Sequence, residues 1–311
     1  MSAVPAVLAS AKRAVVSVLR QIHFDRNHDT DKTIFLAGSG RGGTTWIAEI
    51  INYTNNYRFI FEPFFADKVP VCRHFRNRQY IRPDDADPRF LQPATSVLSG
   101  RLHSRWSDYY NRRLISSRRL VKDIRANLFL KWIRRHFPTI PIVLLLRHPF
   151  AVVHSRTVLN WHDDLTDFLD QPQLMANHLD PFKNCMMGAV DAFDRHLIRW
   201  CVENFVPLNQ FRAGEVHLAF YEQFCTDPKA AVGGLFDYLN IPVHKSLFGR
   251  MGRPSSQLYA DRPHAGWQKT ITPAKMKRGL EILNAFGLDR IYSAEGMPDM
   301  ASAQNMLGGN R

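Results

Sequence analysis

No apolar run in this chain is long enough to cross a bilayer; the longest, Ile140 to Leu146, falls well short of the ~18 residues a spanning helix needs. The four cysteines, Cys72, Cys185, Cys201 and Cys225, contain no Cys-x-x-Cys pair, which argues against the common zinc and dithiol-redox motifs. The expectation is reduced, mostly buried thiols in a reducing compartment. Internal repeats and Gly/Ser-rich linkers are missing too, so a solenoid or a two-domain chain is disfavoured. Acidic residues are scarce: 28 Asp plus Glu face 41 Lys plus Arg, a formal charge of +13. That surplus calls for an anionic partner without choosing among nucleotide phosphates, acidic sugars and membrane faces.

What is present is a βαβ rhythm. Thr33–Ala37, Arg58–Phe61, Leu120–Ile124, Ile140–Leu146 and Glu215–Phe220 read as short apolar strands. Helical patterns intervene near 44–53, 128–136, 185–205, 229–239 and 273–286. Near-continuous aliphatic character in Ile140–Leu146 suits a central strand covered on both faces. The fold class expected is α/β, a single domain with a central parallel sheet flanked by helices. Residues 67–117 are basic and poorly patterned, and 249–269 read as a loop. At the N-terminus Val4, Val7, Leu8, Ala11, Val15, Leu19 and Ile22 recur at helical spacing, interrupted by Lys12, Arg13 and Arg20. This predicts an amphipathic helical segment over 1–30, either packed on its own domain or touching an acidic membrane surface. The domain proper is assigned to 31–295 and a flexible tail to 296–311.

The chemistry concentrates at Gly38-Ser39-Gly40-Arg41-Gly42-Gly43-Thr44-Thr45-Trp46, between the first strand and the first helix. Glycines let the backbone turn with its N–H groups inward, and the helix start adds positive potential, so the turn is a seat for phosphate. Gly38 and Gly43 have Walker A spacing, but Thr44 stands where that motif needs lysine, which argues against ATP or GTP chemistry. Gly38-x-Gly40-x-x-Gly43 also fits the dinucleotide fingerprint, a weak match by itself.

Arg41-Gly42-Gly43-Thr44-Thr45-Trp46 resembles the 5′-phosphosulfate-binding loop of the sulfotransferase superfamily, and the arginine at its head leans toward the carbohydrate-type members. Leu144-Leu145-Leu146-Arg147-His148-Pro149, followed by Ser155, resembles the same family's 3′-phosphate-binding segment. Arginine's planar fork of donors matches phosphate, and a hydroxyl completes such a site. Tyr221-Glu222 with Asp227-Pro228 resembles a further family segment, and 262–269 more loosely its donor-closing loop.

The resemblance implies a P-loop-like turn and transfer of a sulfuryl group from 3′-phosphoadenosine 5′-phosphosulfate (PAPS), leaving 3′-phosphoadenosine 5′-phosphate (PAP), with no metal required. It implies that Arg41 contacts the bridging and leaving-group oxygens and that Gly42, Gly43, Thr44 and Thr45 hold the 5′-phosphate. Trp46 and Tyr221 face adenine, and Arg147 and Ser155 hold the 3′-phosphate. Phe61-Glu62-Pro63 resembles the Glu-Pro element of carbohydrate members, which makes Glu62 the first candidate for general base, with His103 and His148 as alternatives. Lys122, in Lys122-Asp123-Ile124-Arg125, is a candidate for the sulfuryl oxygens. The expected partner is an acceptor hydroxyl or amine, on a carbohydrate or glycolipid, rather than nucleic acid. The expected location is the cytoplasm, with peripheral membrane contact left open. The rival readings are a P-loop nucleotide kinase, an NAD-binding oxidoreductase and a non-catalytic polyanion-binding protein.

Overall fold

The computed structural model describes residues 23–244, 247–248 and 266–308. Five parallel strands make the central sheet: β1 (Thr33–Gly38), β2 (Arg58–Phe61), β3 (Arg119–Asp123), β4 (Ile142–Leu146) and β5 (His217–Phe220). Their spatial order is β2-β3-β1-β4-β5. The chain runs from the centre to one edge, returns through β3, and then builds outward on the other side of β1. The direction of winding therefore reverses at β1, and ligands of open α/β sheets gather beyond the strand ends at such a point.

Both faces of the sheet are covered, which is why its strands lack polar alternation. Phe35, Ala37, Val121, Leu144 and Leu146 point into one apolar layer; Ile34, Leu36, Leu120, Val143 and Leu145 point into the other. The first layer is completed by α3 (Leu130–His136), α4 (Pro149–Val158), α5 (Ala192–Gln210) and α8 (Pro273–Ala285). The second is completed by α1 (Thr44–Ile51), α6 (Tyr221–Thr226) and α7 (Pro228–Leu239). Local signals set several boundaries. Pro149 and Pro228 occupy first-turn positions where a missing N–H costs nothing. The Asp227 carboxylate accepts from Ala230 N at 3.1 Å, and Asn240 closes α7 in the left-handed region (φ 51°).

Four expectations need correction. The stretch 67–117 contains a regular helix, α2 (Pro88–Leu98), hidden in the sequence by Pro93 within it and by flanking arginines. The helix expected over 185–205 is two, Lys183–Met187 and α5, separated at Gly188 and restarted by the Asp191 cap. Beyond residue 295 the tail is ordered: α9 (Met300–Met306) buries Ala303 and Leu307 against the core, so the domain runs past 295. Of the four thiols, all free, Cys72 and Cys201 are buried, Cys185 is half-buried and Cys225 is exposed.

The N-terminal helical pattern lies in 1–22, outside the described residues. Within 23–30 the chain is not helical up to residue 29; Phe24–Asp25 form a short parallel ladder with Ile115–Ser116. No helix among the described residues is long and apolar enough to cross a membrane.

Candidate functional site

Four adjacent strands deliver the sequence-predicted residues to one end of the sheet. β1 ends at Gly38 and leads into the glycine-rich turn. β4 ends at Leu146 and leads to Arg147, β2 ends beside Glu62, and β3 carries Lys122 near its end. Parallel register makes these ends neighbours: Gly38 lies opposite Leu145, Leu36 opposite Lys122, and Lys122 opposite Phe61.

In the turn, Gly42 N donates to Ser39 O at 2.8 Å, and the N-cap residue of α1, Gly43, has no side chain to cap it. The first-turn N–H groups of an uncapped helix attract an anion. Gly43 sits at φ 92°, and a Cβ there would lie 2.4 Å from Tyr221 Cδ2, so both backbone and space demand glycine. The two predicted phosphate segments touch: Arg41 Nε donates to Ser155 Oγ at 3.0 Å, and Arg147 Nη1 donates to Arg41 O at 3.0 Å. The Arg147 guanidinium lies over the Tyr221 ring, 4.3 Å from its centroid, and the Trp46 ring lies 5.3 Å from Tyr221 on the other flank. Thr44 is buried, while Thr45 and Trp46 are half-buried. Arg41, Gly42, Gly43, Thr44, Thr45, Trp46, Arg147, Ser155 and Tyr221 therefore form one cluster.

A second cluster adjoins it. The Glu62 carboxylate is clamped by Lys122 Nζ on Oε1 and Arg125 Nη1 on Oε2, each at 2.6 Å. Burial pushes this carboxyl up, but Lys122 and Arg125 outweigh it and hold the group below the usual carboxylate range. Burial here thus fails to raise the basicity of Glu62. Below it Asp123, fully buried, accepts from Phe64 N (3.0 Å) and Arg125 N (2.7 Å), and burial lifts its pKa to about 6.

The histidine alternatives fare unequally. His148 is buried away from the cluster, stacked on Trp267 at 4.2 Å with Nε2 against Ser293 O and Glu295 O, and burial lowers its pKa to about 4. A ring so enclosed is a packing residue. His103 is exposed on the segment flanking β2. In the loosely matched stretch 262–269, residues 262–265 lie outside the described residues, and Trp267 is a core side chain covering His148.

Sequence reasoning missed the support beneath the turn. Glu203 on α5 is buried and bridges Arg78 Nε (2.6 Å) and Arg156 Nη2 (2.7 Å). Arg156 Nε in turn donates to Gly40 O at 3.2 Å, and Asn204 Nδ2 to Ser39 Oγ at 3.2 Å. Arg199 and Glu203, one helical turn apart on the buried side of the helix, were the available signal. Left-handed backbone occurs at Arg41 (φ 72°), Glu62 (φ 41°) and Arg78 (φ 53°), outside glycine and asparagine, and all three belong to the site or its support. Such conformations persist only where their surroundings over-determine them. Glu222, the partner of Tyr221 in sequence, accepts from His148 N at 2.8 Å and Tyr292 Oη at 3.0 Å, which pins the loop carrying Arg147. Among the described residues no group of three or more His, Cys, Asp or Glu is placed to hold a metal ion.

No curated protein matches the chain. Among solved structures, the sulfotransferase domain from the curacin biosynthetic pathway is 16% identical, covering 84% of this chain and 98% of that one (TM-score 0.44). The sulfotransferase domain from the Synechococcus PCC 7002 olefin synthase is 15% identical, covering 85% and 96% (TM-score 0.43). Mouse sulfotransferase SULT7A1, complexed with PAP, is 14% identical, covering 87% and 89% (TM-score 0.45). These are distant likenesses, and the assignment rests instead on the Sulfotransferase family model, which matches residues 33–245 and so takes in the whole sheet and both clusters. The chain belongs to the sulfotransferase family.

Proposed function

We propose that the protein transfers the sulfuryl group of PAPS to a hydroxyl or amine on a carbohydrate or glycolipid and releases PAP. The observation that carries this reading is the contact between the two anion-binding segments, Arg41 Nε on Ser155 Oγ, with Arg147 alongside. A nucleotide phosphorylated at both 3′ and 5′ positions needs two cationic seats that close together; an ATP or NAD site needs no such pair.

The residues present fit that donor. N–H groups of Gly42 to Thr45 take the 5′-phosphate at the uncapped helix start, and Arg147 with Ser155 takes the 3′-phosphate. Trp46 and Tyr221, already packed together, offer an aromatic edge for adenine. Arg41 stabilises charge on the leaving phosphate oxygen as the sulfur–oxygen bond breaks, a preorganised electrostatic role. The acceptor oxygen forms the new bond to sulfur and gives its proton to Glu62. Lys122 links the two events. When its ammonium turns to the sulfuryl oxygens, Glu62 loses one of the two cations holding its pKa down and becomes a better base.

The test is thermal stabilisation by PAP beside AMP, magnesium ATP and NAD at matched concentrations. At about 100 times the dissociation constant, PAP should contribute ~2.7 kcal/mol. Arg147→Ala should abolish the preference for PAP over AMP. No shift with PAP, or a larger shift with magnesium ATP, refutes the reading. An acceptor screen with sulfate-labelled PAPS then tests the carbohydrate assignment.

A further inference from the structure

The exposed edge of β2 is covered by residues 101–118, and the surface this segment presents has a composition unlike the rest of the site. Beneath it the segment is firmly anchored. The Arg58 guanidinium, fully buried, bonds Asp108 at 2.8 Å and Gly100 O at 2.7 Å, Phe59 N donates to Asn111 Oδ1 at 2.7 Å, and Phe61 N donates to Ser107 O at 2.9 Å. The outer face is therefore held in a fixed shape. On it stand Tyr109 (56% exposed), Tyr110 (38%), Leu114 (41%) and Ile115 (45%), joined by Phe24 (60%), the ladder partner of Ile115.

Among residues 101–118 the exposed formal charge has one sign. Arg101, Arg105, Arg112, Arg113 and Arg118 are all exposed, while the segment's single acid, Asp108, is buried in its pair with Arg58. An exposed apolar and aromatic patch ringed by cations is costly in water unless it is covered. Arginines alone would suit any polyanion, and the tyrosine rings could stack on sugars, but the aliphatic tips of Leu114 and Ile115 add little to binding a hydrated polysaccharide. Tyrosines and aliphatic tips with arginines beside them match the layered chemistry of a bilayer interface, where rings sit among headgroups and cations meet anionic lipid.

The patch also runs toward the reacting groups. The Tyr110 ring lies 4.9 Å from Phe61, and Lys122 Nζ stands 4.6 Å from the Phe61 centroid. We infer that this face docks the protein on an anionic membrane surface, with the site around Glu62 and Lys122 beside the plane of the headgroups. Delivery of a lipid-linked acceptor to that site rests on the sulfotransfer reading above; the docking itself does not.

The experiment is co-sedimentation of the full chain with phosphatidylcholine vesicles containing or lacking phosphatidylserine, with heparin binding measured in parallel. The wild type should sediment with the anionic vesicles only. Replacing Arg112 and Arg118 together by Glu should weaken partitioning by roughly thirtyfold or more, because each arginine near such a surface contributes about a fivefold factor. The combined Tyr109→Ser, Leu114→Ser and Ile115→Ser variant should also lose vesicle binding while keeping its affinity for heparin. Both variants should retain wild-type stabilisation by PAP, which shows that they are folded and separates failure of docking from failure of the donor site. Wild-type vesicle binding by the serine variant would overturn the proposal and point to residues 1–22 or to charge alone. Heparin binding without vesicle binding by the wild type would overturn it in favour of a polyanion.

Discussion

Replacing Glu203 by Gln should weaken both the fold and the phosphate turn, although Glu203 is assigned no contact with either substrate. Its carboxylate is buried between Arg78 and Arg156, and burial pushes the carboxyl up less than Arg156 and Arg78 push it down, to about 2. A fall from 4.5 to about 2 corresponds to about 3 kcal/mol of stability when the group is ionised. Removing one partner of a buried ion pair costs about 3–5 kcal/mol, because the remaining charges stay in low dielectric. The two figures agree. For a chain of this length, about 4 kcal/mol lowers the melting temperature by roughly 5–10 °C.

The pH dependence has a definite sign. A depressed carboxylate pKa stabilises above the unfolded value and loses that contribution as pH falls toward the folded one. The gap between wild type and variant should therefore be full at pH 7 and narrow by about 1 kcal/mol at pH 3.5. Denaturant melts at the two pH values read this directly. PAP affinity should also fall, since Arg156 reaches Gly40 O and would lose its anchor. A melting temperature within about 2 °C of wild type, with unchanged PAP affinity, would refute the idea that this buried pair supports the turn.

Gly43→Ala should impair donor binding more than stability. A non-glycine residue at φ 92° costs roughly 1–2 kcal/mol, and the new methyl would displace the Tyr221 ring from 2.4 Å. PAP titration should show at least a tenfold loss, and wild-type affinity would contradict the packing argument. Arg41→Ala should lower kcat by a factor on the order of 100 to 1,000, the cost of one lost transition-state donor, with its melting temperature much less affected. Unchanged turnover would remove Arg41 from the leaving-group role. Glu62→Gln should keep PAP binding and lose turnover across pH, with Lys122 and Arg125 freed from their shared partner. Retained turnover would shift the search for a base to exposed His103, since His148 is enclosed.

The βαβ order, the parallel sheet and the two candidate phosphate segments were legible in the residues because each rests on local chemistry. Aliphatic runs such as Ile142–Leu146 announce strands buried on both faces, and a glycine turn between strand and helix announces an anion seat. Glu62, Lys122 and Arg147, singled out through the family resemblance, lie together because their parallel strands end side by side. The helix α2 was hidden because Pro93 violates local propensity and only packing tolerates it. Glu62's weakened basicity was equally invisible: Arg125 belongs to the neighbouring strand's loop, and only the register of β2 against β3 brings both cations onto one carboxylate. The same holds for Arg78, Arg156 and Glu203, far apart in the chain and joined under the turn. Sequence determined which residues are candidates for binding phosphate, since that depends on residue type and local backbone. Tertiary structure alone decided which charges meet and with what pKa, since electrostatic coupling depends on distance and burial that no local pattern encodes.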